Sequence, residues 1–229
     1  MRIRSLLFSL FNWKQRGGFQ LSCGQDFSQM VRAKLPESTE LRDLPNFNSI
    51  SVSHMIDLEF TQGPEQLVEV TACHDIMSMI STVVVAGELR LSVNGSFVSG
   101  KRPKVICSAP ELVSIKRSGG GGTSCANLSC DTLSVEKVGS GEISLCGGVK
   151  NLSATIKGSG RVNCSKLEIG SLKVLLFGNG RFEGGLIDSV DCLLQGNGRI
   201  CIENKPKFLR VDRRGSGAIR IGGEPVGDF

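Results

Sequence analysis

Long apolar runs are missing from this chain: no stretch approaches the roughly 20 residues that a membrane-spanning helix needs. The sequence therefore reads as soluble, or as held to a membrane by something other than a helix. An excess of one charge is missing too. The net charge is +5, and acidic residues are interspersed with basic ones over most of the length, unlike a dedicated nucleic-acid binder. Zinc-ligand spacing is absent: the nine cysteines form no Cys-x-x-Cys and have no suitably spaced histidine. No metal or other cofactor is expected. An odd number of cysteines without framework spacing fits a reducing compartment. Tyrosine is absent and aromatics are 5% of residues, whereas glycine is abundant at 29, as short strands joined by tight turns require.

The glycines are not scattered. Turns begin at Gly119, Gly139, Gly158, Gly178, Gly196 and Gly215, 18–20 residues apart. The last five read Gly-Ser/Asn-Gly, so the paired corners are Gly139 and Gly141, Gly158 and Gly160, Gly178 and Gly180, Gly196 and Gly198, and Gly215 and Gly217. Four residues after each first glycine stand Ile143, Val162, Phe182, Ile200 and Ile219; six after stand Leu145, Cys164, Gly184, Ile202 and Ile221. Six before stand Leu133, Leu152, Leu172, Val190 and Leu209, and four before stand Val135, Ala154, Val174, Cys192 and Val211. Polar residues fill the positions between. Period-two alternation on both sides of a glycine corner predicts two short strands per unit. Such a unit buries its apolar face only by stacking on the next one. The expected fold is all-β, a parallel β-helix or β-solenoid with ~19-residue coils.

Residues 1–40 read as an N-terminal arm or targeting segment, and 41–229 as one solenoid domain. Within it, 41–118 form atypical first coils that cap the regular repeats of 119–229. The apolar run Leu6–Trp13 is followed at once by Lys14, Gln15 and Arg16, without a small-residue cleavage site. Leu21-Ser22-Cys23-Gly24 has a faint lipoprotein-signal look, and the acid-free leader also has the composition of an organelle transit peptide. The compartment is left open. Ile50, Val52, Ile56, Leu58 and Phe60 alternate as a strand, with His54 in the one inward slot that is not aliphatic. A turn at 61–64, a returning strand at 67–70 and a short helical turn at 75–81 follow.

Arg42, Phe47-Asn48-Ser49-Ile50-Ser51-Val52-Ser53, Ile56-Asp57-Leu58, Thr61-Gln62-Gly63, Gly87-Glu88-Leu89-Arg90-Leu91, Ala109-Pro110-Glu111-Leu112 and the closing Gly222-Gly223-Glu224-Pro225 occur in that order. With the Gly-Ser-Gly corners between them, this pattern resembles the head GIN domain of putative auto-transporter adhesins over about residues 41–226. The resemblance implies a right-handed β-helical fold and a surface or extracytoplasmic role, and carries over no catalytic residues.

Catalysis is not expected. The carboxylates of Glu142, Glu168, Glu183, Asp188, Asp191 and Glu203 fall in different columns, whereas acid–base chemistry needs two titratable groups aimed at one bond. Cys73, His74 and Asp75 are adjacent metal-capable groups, but neighbours on one segment rarely point together. Two outward features remain as candidate binding residues. Arg161, Arg181 and Arg199 repeat at one position on three successive rungs, a ladder suited to a polyanion or to discouraging sheet aggregation. Leu175, Phe177 and Leu193 form an apolar strip on neighbouring rungs. It suits a protein or glycan partner, self-association, or cover by the N-terminal arm. The expected protein is thus a non-enzymatic, adhesin-like or scaffold solenoid with an unidentified partner. The alternative is a polyanion-binding or carbohydrate-active β-helix.

Overall fold

A computed structural model of the chain describes residues 30–226. Its strands are β1 (Val31–Arg32), β2 (Glu37–Leu41), β3 (Ser49–Val52), β4 (Asp57–Gln62), β5 (Leu67–Cys73), β6 (Ile80–Val85), β7 (Glu88–Val93), β8 (Phe97–Val98), β9 (Lys104–Ala109) and β10 (Ser114–Ser118). The regular half follows as β11 (Gly122–Val138), β12 (Glu142–Gly158), β13 (Arg161–Gly178), β14 (Arg181–Gly184), β15 (Ile187–Gln195), β16 (Arg199–Ile202), β17 (Phe208–Arg214), β18 (Ala218–Ile221) and β19 (Glu224–Pro225). A short 3-10 helix, His74–Met79, lies between β5 and β6.

The architecture is a parallel β-solenoid of about five turns. The apolar columns read from the sequence are columns of direct register partners, except that a register shift after Ser144 takes Leu145 out of step with Cys164. Leu133, Leu152, Leu172, Val190 and Leu209 stack in that order, as do Ile143, Val162, Phe182, Ile200 and Ile219. All of them except Leu209 are buried. Burying each such side chain contributes about 1.5–3 kcal/mol against leaving it in water. Leu209 departs from the expectation: it points inward but is 46% exposed, because among the described residues no further rung follows β17.

The corners explain their own sequence. Gly178 has φ 106°, a conformation that an L side chain enters only at a cost of about 1–2 kcal/mol. The second glycine is needed for a different reason. A Cβ on Gly160 would meet the carbonyl oxygen of Gly141 and stand 2.5 Å from Nζ of Lys137. Ile156, Leu176 and Leu194 likewise reach beneath Gly180, Gly198 and Gly217. Gly160, Gly180, Gly198 and Gly217 therefore each roof an inward side chain that precedes the corner of the neighbouring rung, and a methyl group there has no room.

The irregular half follows the same geometry, in a different order from the chain. β3 and β4 come earlier in the chain but form its second rung, inside β7 and β9. β3 lies between β7 and β10, and β4 between β9 and β11, all parallel. Antiparallel strands close this end: β6 pairs with β7, and β5 pairs with both β9 and β2. Gln62 fastens two loops across it. Its Nε2 donates to the carbonyl oxygens of Pro110 and Ser129 at 3.0 and 3.2 Å, and its Oε1 accepts from the Ser129 N–H at 2.9 Å.

Two expectations change. Among the described residues strand is present before Leu41, since β1 at Val31–Arg32 pairs with β8 and β2 adds to the edge of β5. The apolar segment Leu6–Trp13 and the motif around Cys23 lie outside the described residues. His54 is not an inward strand residue: it is exposed, has φ 64°, and sits in the bend between β3 and β4. A Cβ on Gly119 would run into its backbone, 3.1 Å from N and from C, so His54 occupies the place that glycine takes on the next rung. Alternation breaks there because the chain turns a corner without a glycine to mark it.

Candidate functional site

The arginine ladder forms as the spacing predicts. Arg161 pairs in register with Arg181, and Arg181 with Arg199. Stacked like charges repel, and two carboxylates relieve this. Glu142 lies 3.8 Å from Arg161, while Glu183 lies 3.9 Å from Arg161 and 3.4 Å from Arg181. These are long, solvent-screened contacts worth about 0–1 kcal/mol each. Arg199, the exposed end of the ladder, has no ion pair among the described residues.

Leu175 and Leu193 are register partners on β13 and β15, with Thr155 and Asp212 on the rungs to either side. Phe177 lies two residues along, between Lys157 and Gln195. All three apolar side chains are half-buried, and the other outward residues of β12, β13 and β15 around them are polar. The ladder and the strip belong to different strand segments of each coil, before and after the bends that follow the corner.

The carboxylates do not converge on one bond. A shallow groove of about 700 Å³ crosses the rungs, lined in part by Cys130, Asp131, Lys150, Glu168, Asp188 and Asn204. Asp131 is taken up by Lys150 at 2.7 Å and Asp188 by Lys207 at 3.2 Å. Among the described residues no group of three potential ligands is placed to hold a metal ion. Asp75 instead caps the chain entering β2, accepting the Lys34 N–H at 2.7 Å, and this bond lowers its pKa. The eight described cysteines are free thiols. Burial pushes Cys107 and Cys192 up to about 12, and Cys125 and Cys164 higher still.

One feature was not singled out from the sequence. Arg117 and Lys137, two residues before their corners, are fully buried and paired in register. Arg117 donates to the Ile56 carbonyl oxygen at 2.6 Å and to the Thr123 hydroxyl at 3.0 Å, while its Nε has no partner. Lys137 donates to the Val138 carbonyl oxygen at 3.2 Å. Burial, then the charge of Arg117, lowers the Lys137 amine to about 8. The signal was available: Ile156, Leu176 and Leu194 continue the same column, so any residue there must point inward.

The described residues thus form a stack of glycine-cornered coils with regular outer faces. The sequence pattern of the head GIN domain of putative auto-transporter adhesins matches residues 46–206, and the chain belongs to that family. Solved structures share the fold. A putative adhesin from Bacteroides fragilis is 20% identical with a TM-score of 0.70, the match covering 83% of this chain and 99% of that one. A putative lipid binding protein from Parabacteroides distasonis is 17% identical with a TM-score of 0.52, over 84% and 99%. A putative adhesin from the same species is also 17% identical, with a TM-score of 0.51 over 84% and 99%. No curated protein matches the chain. No helix among the described residues is long and apolar enough to cross a membrane.

Proposed function

We propose that this protein is a non-catalytic binding module that seats a protein or glycan surface on the outer face of β12, β13 and β15. The observation that carries this reading is the Leu175–Leu193 register pair with Phe177 beside it, half-exposed on a flat, otherwise polar sheet. Apolar side chains in the middle of such a face supply the desolvated centre of an interface, and the surrounding Lys, Asp and Ser supply its polar rim. Rigid strands present them without the entropy cost of ordering a loop. The test is binding to immobilised glycans and to intact bacterial and host cells, comparing the parent with L175S/F177S/L193S. Loss of binding with an unchanged circular dichroism spectrum supports the reading. Equal binding by the two removes it.

A second reading rests on Arg199. Unlike Arg161 and Arg181 it makes no ion pair among the described residues, which leaves its charge uncompensated by them at one end of the ladder. An acidic glycan or lipopolysaccharide fits that end. R161E/R181E/R199E should then lose salt-sensitive binding to a heparin or lipopolysaccharide column, and unchanged retention excludes the ladder as a site.

A further inference from the structure

The two halves of the last coil end differently. β18 is closed by β19, which folds back antiparallel so that Ile221 pairs with Glu224. β17 pairs only with β15 among the described residues, and its outer backbone edge is open. The terminal rung also exposes apolar side chains that are buried or absent elsewhere in the same columns. Phe208 is 72% and Leu209 46% exposed, whereas Val190 beneath Leu209 is 2% exposed. An edge strand of seven residues with no proline and no bulge is a template for strand addition.

The order of charges along β17 selects the occupant. The strand reads Phe208-Leu209-Arg210-Val211-Asp212-Arg213-Arg214. Charges on an edge ordinarily discourage pairing, but these are arranged about Val211 as a centre. When a second copy is laid antiparallel with Val211 opposite Val211, Arg210 of each chain faces Asp212 of the other. Phe208 then faces Arg214, a pairing of ring and guanidinium that is itself attractive. Asp212 already holds Arg214 through both carboxylate oxygens, at 2.7 and 3.2 Å, and a carboxylate has acceptor sites left for a second guanidinium. A parallel pairing would stack Arg210 on Arg210 and Asp212 on Asp212.

We propose that β17 is a dimerisation edge that joins two copies of this chain antiparallel about Val211, giving a closed two-fold pair with the solenoids extending in opposite directions. The contact is isologous, so it stops at two copies. It does not depend on which outer face binds a partner, and dimerisation leaves both candidate faces open.

The experiment is a concentration series of the full-length chain by analytical ultracentrifugation with three forms: parent, R210D, and the exchange R210D/D212R. The parent should show a reversible monomer–dimer equilibrium. R210D places like charges opposite one another twice and should weaken dimerisation roughly tenfold or more. The exchange restores opposite charges across the two-fold and should recover most of that loss, which a mere surface perturbation would not do. Oxidation of V211C should give a disulfide-linked dimer whose bridging peptide joins position 211 to position 211. A parent that stays monomeric throughout overturns the proposal, whatever covers the edge. So does a dimer indifferent to R210D, or an open-ended series of larger species, which would mean that β17 adds to the opposite end of the solenoid.

Discussion

Arg117 and Lys137 stand directly over one another on adjacent rungs, both cationic and both buried, with no carboxylate between them. Arg117 is held by two oxygen acceptors and the charge of Asp57 offsets part of its burial; Lys137 has a single carbonyl at 3.2 Å. A buried charge without a partner costs several kcal/mol unless it gives up its proton. The lysine is the weaker member of the pair, and that difference sets the first prediction.

Lys137 titrates at about 8 in the folded chain against an ordinary 10.5. Between those values the unfolded chain binds the extra proton, so stability rises with pH through this window and is lowest below pH 8. The buried thiols act with the opposite sign. Cys107, Cys125, Cys164 and Cys192 are raised from 9.0, so the unfolded chain loses protons first and stability falls above about pH 9. In urea titrations the two effects should nearly offset one another close to pH 8, and stability should then decline as four thiols outweigh one amine. K137M should stabilise the protein by roughly 1–4 kcal/mol at pH 7, and its advantage over the parent should shrink by about 1 kcal/mol from pH 8 to 9. R117M should destabilise it, because it strands the Ile56 carbonyl. A K137M advantage that stays constant between pH 8 and 9, or a K137M that is less stable at pH 7, would show that Lys137 is better solvated than its burial implies.

Gly160 and Gly148 give a contrast within one protein. A methyl group on Gly160 meets a backbone oxygen and the Lys137 side chain, whereas nothing lies within 4 Å of one on Gly148. G160A should lower stability by about 2–4 kcal/mol and G148A should stay within about 0.5 kcal/mol. Thermal melts of the two variants check this. Equal melting temperatures would mean that the corner relaxes around an added methyl.

Leu152 and Leu209 occupy the same inward column at 2% and 46% exposure. L152A should cost about 2–5 kcal/mol and L209A well under half as much, when unfolding is followed at high dilution. Equal losses would mean that Leu209 is covered in solution.

The thiols should also separate by reactivity. Cys146 is exposed, while Cys107, Cys125, Cys164 and Cys192 are buried. A short iodoacetamide pulse at pH 8 followed by peptide mass spectrometry should label Cys146 and leave those four unmodified until urea is added. Early labelling of Cys125 or Cys164 would mean that the central coils open locally well below the global unfolding free energy.

The regular half was legible because its signal is redundant. Corners every 18–20 residues and four flanking apolar columns each repeat five times, and a single exception such as Gly184 does not disturb them. The irregular half was legible strand by strand but not in its arrangement. Ile50 and Val52 alternate as expected. That β3 lies between β7 and β10, however, follows from pairings across 39 and 65 residues, which no local pattern records. His54 was misplaced because a positive-φ corner without glycine looks like one more alternating residue. The arginine ladder and the apolar strip were found by counting from the corners, and their register is as counted; their ion pairs with Glu142 and Glu183 were not foreseeable from spacing.

By itself the sequence determined which way each side chain of the repeats points. Direction follows from period-two alternation and from glycines that only a stacked corner requires. The tertiary structure decided what each inward or outward direction means. Leu152 and Leu209 point alike, and only the rungs above and below make one buried and the other exposed. Arg117 and Lys137 share a column with Ile156 and Leu176, and stacking, which depends on neighbours about 20 residues away, turns two ordinary surface residue types into buried cations. Burial is a property of the stack, and a single coil does not contain it.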